Sequence, residues 1–243
     1  MDIVLTPRDL GLLLDCYEQV QLSFAQIHQR HFLGRSRPTV TNRLSQLRRS
    51  GYLKSQRVGI VIHRGKAEDV SKVFQVTAKA IRSLQERYPQ NSFRDAPPPL
   101  NSASLVHDLL LTDVLTVLAA TWPGITARNG KLHRGAQHSE RRRPDAVLLD
   151  HQGRVIAAVE LELTLKSKRR YREIMLGYKM QRVFARIIYV VGSDALAKVI
   201  EQHIFGPRQL FSTPRTEPSK FLIVKLSEVL KGRDWAQNLQ IVW

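Results

Sequence analysis

Asp145, Glu160 and Glu162 interrupt an otherwise apolar stretch, R-P-D-A-V-L-L-D-H-Q-G-R-V-I-A-A-V-E-L-E-L-T-L-K-S-K, that runs from Arg143 to Lys168. It reads as two short strands, Val147 to Leu149 and Val155 to Leu163. They meet at Asp150-His151-Gln152-Gly153, where Asp and Gly supply the backbone freedom a reversal needs. Side chains alternate along a strand, so Glu160 and Glu162 share one face and Val159, Leu161 and Leu163 the other. A four-residue turn sets Leu149 opposite Arg154 and Asp145 opposite Ala158. Asp145 then joins the glutamates, one diagonal step from Glu160, and a slip of one residue would undo the convergence. Three converging carboxylates repel one another and are costly to desolvate. A divalent cation resolves that conflict: Mg²⁺ and Mn²⁺ take hard oxygen ligands, a few carboxylates plus water and phosphate oxygens. The bland alternative is a solvated strand face carrying ordinary acids. Arg141, Arg142 and Arg143 precede the acids, and Lys166, Lys168, Arg169 and Arg170 follow them. Acids ringed by cations suggest a metal inside and a phosphodiester outside.

The elements that must position this hairpin are legible on both sides of it. Ser104 caps a helix from Leu105 to Ala120, apolar on most sides and interrupted by His107, Asp108 and Asp113. His107 is either a hydrogen-bonded core residue or a contributor to the site. A strand near Ile125 to Arg128 and a basic loop with Lys131, His133, Arg134 and His138 lead into the hairpin. After it, 166–185 reads as a long basic helix with Ile174, Leu176 and Phe184 partly inward. Tyr171 and Tyr178, seven apart, lie on one face of that helix. They are a packed or interfacial pair, or, on the sharper reading, a phosphate or base contact or a nucleophile. A buried strand (Arg186 to Val191), a helix (Ser193 to Phe205) and a strand (Phe221 to Leu226) complete an α/β core.

Upstream, Thr6-Pro7 starts a helix whose buried stripe is Leu10, Leu13, Leu14 and Tyr17. Ser23 and Gln26 form a capping box for a second helix through His31. A turn over 34–38 precedes a third helix, Thr39 to Ser50, stopped by Gly51. Val40, Leu44 and Leu47 make its core seam, and Thr39, Thr41, Asn42, Arg43, Gln46 and Arg49 remain outside it. Strands around Tyr52-Leu53, Val58 to Ile62 and Val73 to Val76 form a hairpin with a basic tip, His63-Arg64-Gly65-Lys66. Thr77 caps a last helix, Ala78 to Arg87. Three helices followed by a hairpin is the order of a winged helix-turn-helix, whose third helix enters the major groove and whose wing follows the backbone or minor groove. Asn and Arg suit adenine and guanine edges, and Arg64 and Lys66 suit phosphates. The alternative is a small helical domain with a solvated basic face. Residues 1–88 form this domain, the proline-bearing 89–103 a semi-rigid linker, and 104–243 the second domain.

The chain of 243 residues carries a formal charge of +17, which calls for a polyanionic partner, nucleic acid before a membrane surface. Residues 1–100 hold 16 basic and 8 acidic side chains and residues 101–243 hold 22 and 13, so both halves are expected to touch it. The single cysteine, Cys16, excludes a disulfide framework and a zinc cluster, and reads as inert core. Without a signal peptide or a run of membrane-spanning length, a cytoplasmic protein with no membrane insertion is expected.

The order of elements, with Pro144-Asp145, Glu160 and Glu162, resembles the restriction-endonuclease-like PD-(D/E)xK nucleases. The winged-helix pattern, H-D-L…T-D-V from His107 to Val114, R-P-D-A-V and V-E-L-E-L-T-L-K-S-K-x-x-Y together resemble the plasmid replication-relaxation family, in particular the MobC-type mobilisation relaxases. The resemblance implies an α/β (α+β) fold class: a winged helix-turn-helix, then a nuclease domain with a mixed central sheet. It implies strand-specific nicking at a plasmid transfer origin, within a relaxosome that includes an accessory protein and a coupling protein. Carried over by position, Asp145, Glu160 and Glu162 would be the metal-binding carboxylates. Glu162 stands where the commoner pattern has Lys, which leaves the water-activating role to Lys166, Lys168 or a histidine of the 133–138 loop.

Two functions follow. One is an Mg²⁺- or Mn²⁺-dependent nickase in which Lys166, Lys168, Arg169 and Arg172 grip the DNA backbone, with Arg142 and Arg143 alongside. The other is a non-catalytic accessory protein of a relaxosome or replication complex, with an inactive nuclease fold. A plain repressor comes third, since it leaves the acids without a role.

Overall fold

The computed structural model describes residues 3–57, 60–63, 66–69, 72–99, 101–132, 143–181, 183–205 and 220–232. The chain divides into two compact units, 1–112 and 113–243.

In the first unit the elements run α1 (Pro7–Glu18), β1 (Leu22–Ser23), α2 (Phe24–His31), α3 (Arg37–Arg49), β2 (Leu53–Arg57), β3 (Ile60–His63), β4 (Lys66–Asp69), β5 (Lys72–Val76) and α4 (Ala78–Arg87). That is the order expected of a winged helix. β1, β5 and β2 form an antiparallel sheet in that order, and β3 pairs with β4. The helix starts expected at Thr6, Ser23 and Thr77 all hold. Thr6 accepts from the Asp9 amide while Asp9 reaches back to the Thr6 amide, with Pro7 in the first turn. Ser23 and Gln26 do the same for α2, and Thr77 caps α4.

The buried stripe of α1 is rotated from the one expected. Leu12, Leu13, Cys16 and Tyr17 are buried, whereas Leu10 and Leu14 are only partly covered. Helix α3 begins two residues earlier than expected, because Pro38 fits its first turn and does not break it. Its seam is as read, with Val40, Leu44 and Leu47 buried, and Gly51 ends it at a positive φ of 77°.

Helix α5 (Leu105–Thr121) contains the boundary between the units, since the first unit runs to Thr112. Leu105 and Leu109 pack with Val73. The Gln26 side-chain amide donates to the Leu109 carbonyl at 2.9 Å.

The second unit has β6 (Thr126–Asn129), β7 (Ala146–Leu149), β8 (Val155–Glu162), α6 (Lys168–Met180), β9 (Arg186–Val191), α7 (Asp194–Phe205), β10 (Phe221–Lys225) and α8 (Leu226–Val229). Its five-stranded sheet has the order β10-β9-β8-β7-β6. β6, β7 and β8 are antiparallel neighbours, while β8, β9 and β10 run parallel. The sheet is therefore mixed, and the protein belongs to the α+β class. The parallel connections pass through α6 and α7. One core is built from Val147, Leu149, Ala158, Ile187, Tyr189 and Val191 of the strands. From the helices it takes Tyr171, Ile174, Met175 and Tyr178 of α6 and Leu196, Ala197 and Ile200 of α7.

Helix α6 is shorter than the expected 166–185. Ser167 caps it, and Gln181 leaves it in an extended conformation. The Lys220 ammonium donates to the carbonyls of Tyr178 and Gln181 at 3.2 and 3.0 Å, which satisfies groups the helix end leaves open. Ile174 and Phe184 are buried as expected, but Leu176 is 40% exposed, a departure from the inward position assigned to it. Among the described residues no helix is long and apolar enough to cross a membrane.

Candidate active site

The hairpin of β7 and β8 carries the acids, in a register that corrects the expected one. Val147, not Asp145, lies opposite Ala158, and Ala146 lies opposite Val159. One residue of the shift comes from a five-residue turn, which puts Leu149 opposite Val155 and not Arg154, and the second from an irregularity between Leu148 and Leu149. Because the displacement is two residues, facing is preserved. Continuing the ladder by one step sets Asp145 beside Glu160, closer than the diagonal expected.

Strand alternation then places Asp145, Glu160 and Glu162 on the side of Val147 and Ala158, the face that α6 and α7 cover. The bland reading of a solvated acid face is thereby excluded. Glu160 and Glu162 are each only 3% exposed, and Asp145 is half-buried.

Buried carboxylates need partners, and each has one from the chain. The Leu161 amide donates to Asp145 Oδ2 at 2.9 Å, tying the residue just before β7 to the carboxyl end of β8. The Tyr178 hydroxyl donates to Glu160 Oε1. The Lys166 ammonium donates to Glu162 Oε2. Lys166 precedes α6, in the loop that leaves β8, and its backbone amide donates to the Tyr171 hydroxyl at 3.3 Å. Burial first, and then the charge of Glu162, push the Tyr171 phenol above its usual value; the Lys166 amide opposes them. Tyr171 and Tyr178 are both fully buried. The packed-pair reading describes them, and neither phenol is presented to an incoming strand.

Gly130 seats the first acid from behind. Its amide donates to the Asp145 carbonyl at 2.8 Å, and a Cβ there would lie 2.0 Å from the Pro144 carbonyl oxygen. Nothing local in the sequence marks this close approach, since Gly130 and Pro144 are distant in the chain.

The donor set of three carboxylates has the chemistry a hard cation wants. In the arrangement described it does not close. Among the described residues, no three His, Cys, Asp or Glu side chains are gathered as a metal-binding group. Glu160 and Glu162 are turned to Tyr178 and Lys166 instead.

The other candidates fall as follows. His107 belongs to the first unit, with Nδ1 3.6 Å from the Asp108 carboxylate. Arg143, Lys168, Arg169 and Arg172 are exposed, and Arg169 lies 3.8 Å from Glu173. Arg142, with Arg141, His133, Arg134 and His138, lies outside the described residues, as do Arg64 and the side chain of Lys66. On α3, Thr39, Thr41, Asn42, Gln46 and Arg49 are exposed.

Arg43 is not a free reading residue. Its Nε donates to Asp9 Oδ1 at 3.0 Å, Nη2 to the Val4 carbonyl at 3.0 Å and Nη1 to Gln46 at 2.9 Å. Asp9 is fully buried. Burial alone would raise its carboxyl, but hydrogen bonds from Arg43 and Thr6 outweigh that and hold it below its usual range. Arg43 therefore works as the counter-charge that pins α3 to the start of α1.

Compared with known proteins, residues 13–187 match the family model described as replication-relaxation. No curated protein and no solved structure matches the chain.

Proposed function

Since the chain belongs to the replication-relaxation family, we propose that it nicks plasmid DNA at a transfer origin, one strand at a defined site, as a relaxase of the MobC type. The observation that carries this is that Asp145, Glu160 and Glu162 lie on one sheet face, the two glutamates at the carboxyl end of a strand flanked by a parallel neighbour. In open α/β sheets that is where ligands bind. The first unit, read as a winged helix, would find the origin. Exposed Lys168, Arg169 and Arg172 of α6 would hold the sugar–phosphate chain. The relaxosome's accessory and coupling proteins are the proposed partners.

Asp145, Glu160 and Glu162 are the residues that would hold Mg²⁺ or Mn²⁺. Such an ion polarises a phosphodiester and lowers the pKa of an attacking water. In the geometry described no step runs through it, because all three acids already accept hydrogen bonds from the chain. Lys166, with its ammonium on Glu162, is the group of the site that could pass a proton to or from a water.

The test is a supercoiled origin plasmid incubated with Mg²⁺ or Mn²⁺. Wild type is expected to convert it to the open circle. Asp145→Ala and Glu160→Ala should each lower conversion at least 100-fold while origin affinity stays within twofold. Normal nicking by either variant overturns the assignment.

A second reading rests on the same engagement. With Glu160 and Glu162 answered by Tyr178 and Lys166, the fold would serve as a non-catalytic platform of a relaxosome or replication complex. Tight origin binding with no nicking under any metal favours it. Calorimetric titration with Mn²⁺ separates the two further: the nickase predicts binding that weakens in Glu162→Gln, and the platform predicts none.

A further inference from the structure

A cavity of about 110 Å³ opens in the first unit between α2, α3 and β5. Three cations border it, Arg37 and Arg48 of α3 and Lys72 of β5, together with the hydroxyls of Thr41 and Ser45. Its remaining lining is Phe24, Leu44 and Phe74, so no acidic side chain contributes. The Arg37 guanidinium sits 4.8 Å from the centroid of the Phe24 ring, which holds that charge at the edge of the cavity. None of the three cations is ion-paired to a carboxylate among the described residues.

At 3.6 residues per turn, positions 37, 41, 45 and 48 fall within about 80° of the helix circumference. They form one flank, beside the Val40–Leu44–Leu47 seam. Of the residues whose types suit base edges, Asn42, Gln46 and Arg49 face away from the seam, next to this flank, and Arg43, on the far side of the seam, is consumed by Asp9. Thr41 is the one residue common to the cavity and to the earlier selection.

Three uncompensated positive charges and two hydroxyl donors around a small opening match a tetrahedral anion. We propose that this cavity seats a backbone phosphate of duplex DNA, and that Arg37, Arg48 and Lys72 anchor α3 on the strand without reading sequence. The proposal rests on the first unit being a DNA-binding domain; it is independent of nicking.

The experiment is fluorescence anisotropy of the full chain on a 30-base-pair duplex of arbitrary sequence, across a salt series. Arg37→Ala, Arg48→Ala and Lys72→Ala should each weaken binding about fivefold or more, equally for unrelated sequences. Each should lower the slope of log affinity against log salt by about one. Thr41→Glu, which places a carboxylate at the opening, should weaken binding more than any of them, with an unchanged thermal midpoint. Arg82→Ala, at an exposed position of α4, removes a charge elsewhere and should leave affinity and slope as in wild type.

Unchanged slopes in all three cation variants overturn the pocket while leaving DNA binding in place. Failure of the wild type to bind any duplex overturns both. Inorganic phosphate offers the last arm. If its ³¹P line is broadened by wild type and not by Arg48→Ala, while both bind the duplex equally, the cavity serves a free anion and the proposal is wrong.

Discussion

In sequence Arg43 has the marks of a base reader, a cation outside the core seam of a candidate recognition helix. In the structure it answers Asp9, whose side chain has no exposure. Removing one partner of such a pair leaves a buried charge uncompensated, which costs about 3–5 kcal/mol. Arg43→Ala is therefore expected to lower the thermal midpoint by several degrees and to lose DNA affinity only through unfolding. A variant that keeps its midpoint and loses base preference contradicts this. The same pair sets an acid limit. The folded Asp9 carboxyl lies below its usual value of 3.8. Its contribution is complete above that value and is lost as pH falls through the folded value. A midpoint followed from pH 6 to pH 2 should drop more steeply below pH 4 in wild type than in Asp9→Asn, which starts lower and lacks this titration.

At the scale of elements, the turn of chain behind Asp145 is the sensitive one. Gly130→Ala puts a methyl against the Pro144 carbonyl, so the backbone of 144–145 must move. Nicking is expected to fall at least tenfold, with duplex affinity unchanged; equal nicking would mean that Asp145 tolerates displacement. Elements whose signals are local could be read directly: the Thr6 helix start, the Ser23–Gln26 capping box, the Val40–Leu44–Leu47 seam, the Gly51 stop and strand β8 all declare themselves within a few residues. What escaped depends on distant chain. The end of α6 is closed by Lys220, 39 and 42 positions beyond the carbonyls it caps, and Arg43 is claimed by a residue 34 positions earlier. The hairpin register escaped for another reason. The irregularity at Leu148 and Leu149 is a backbone event, and no side-chain type marks it. The three acids still share a face because the error was an even number of residues.

Over the whole molecule, the proline-bearing segment before residue 104 looks in sequence like the natural place to divide the chain. Yet the first five residues after 104 matter to the first unit. Leu105 and Leu109 cover Val73, and Asp108 and the Leu109 carbonyl accept from Gln21 and Gln26. A fragment 1–104 should be less stable than 1–121 by about 2–5 kcal/mol, the usual cost of losing a large buried aliphatic contact. Chemical denaturation of the two fragments decides it, and equal stability would restore the linker as the boundary. The charge of +17 is spread over both units, so each is expected to bind duplex with its own salt dependence.

The Tyr178 hydroxyl and the Glu160 carboxylate, 18 positions apart, have a bearing on descent. A substitution at either removes a buried hydrogen-bond partner from the other, so neither drifts alone without penalty. Lineages that abandon the acid are expected to abandon the phenol as well, and the two losses should be found together across related plasmids.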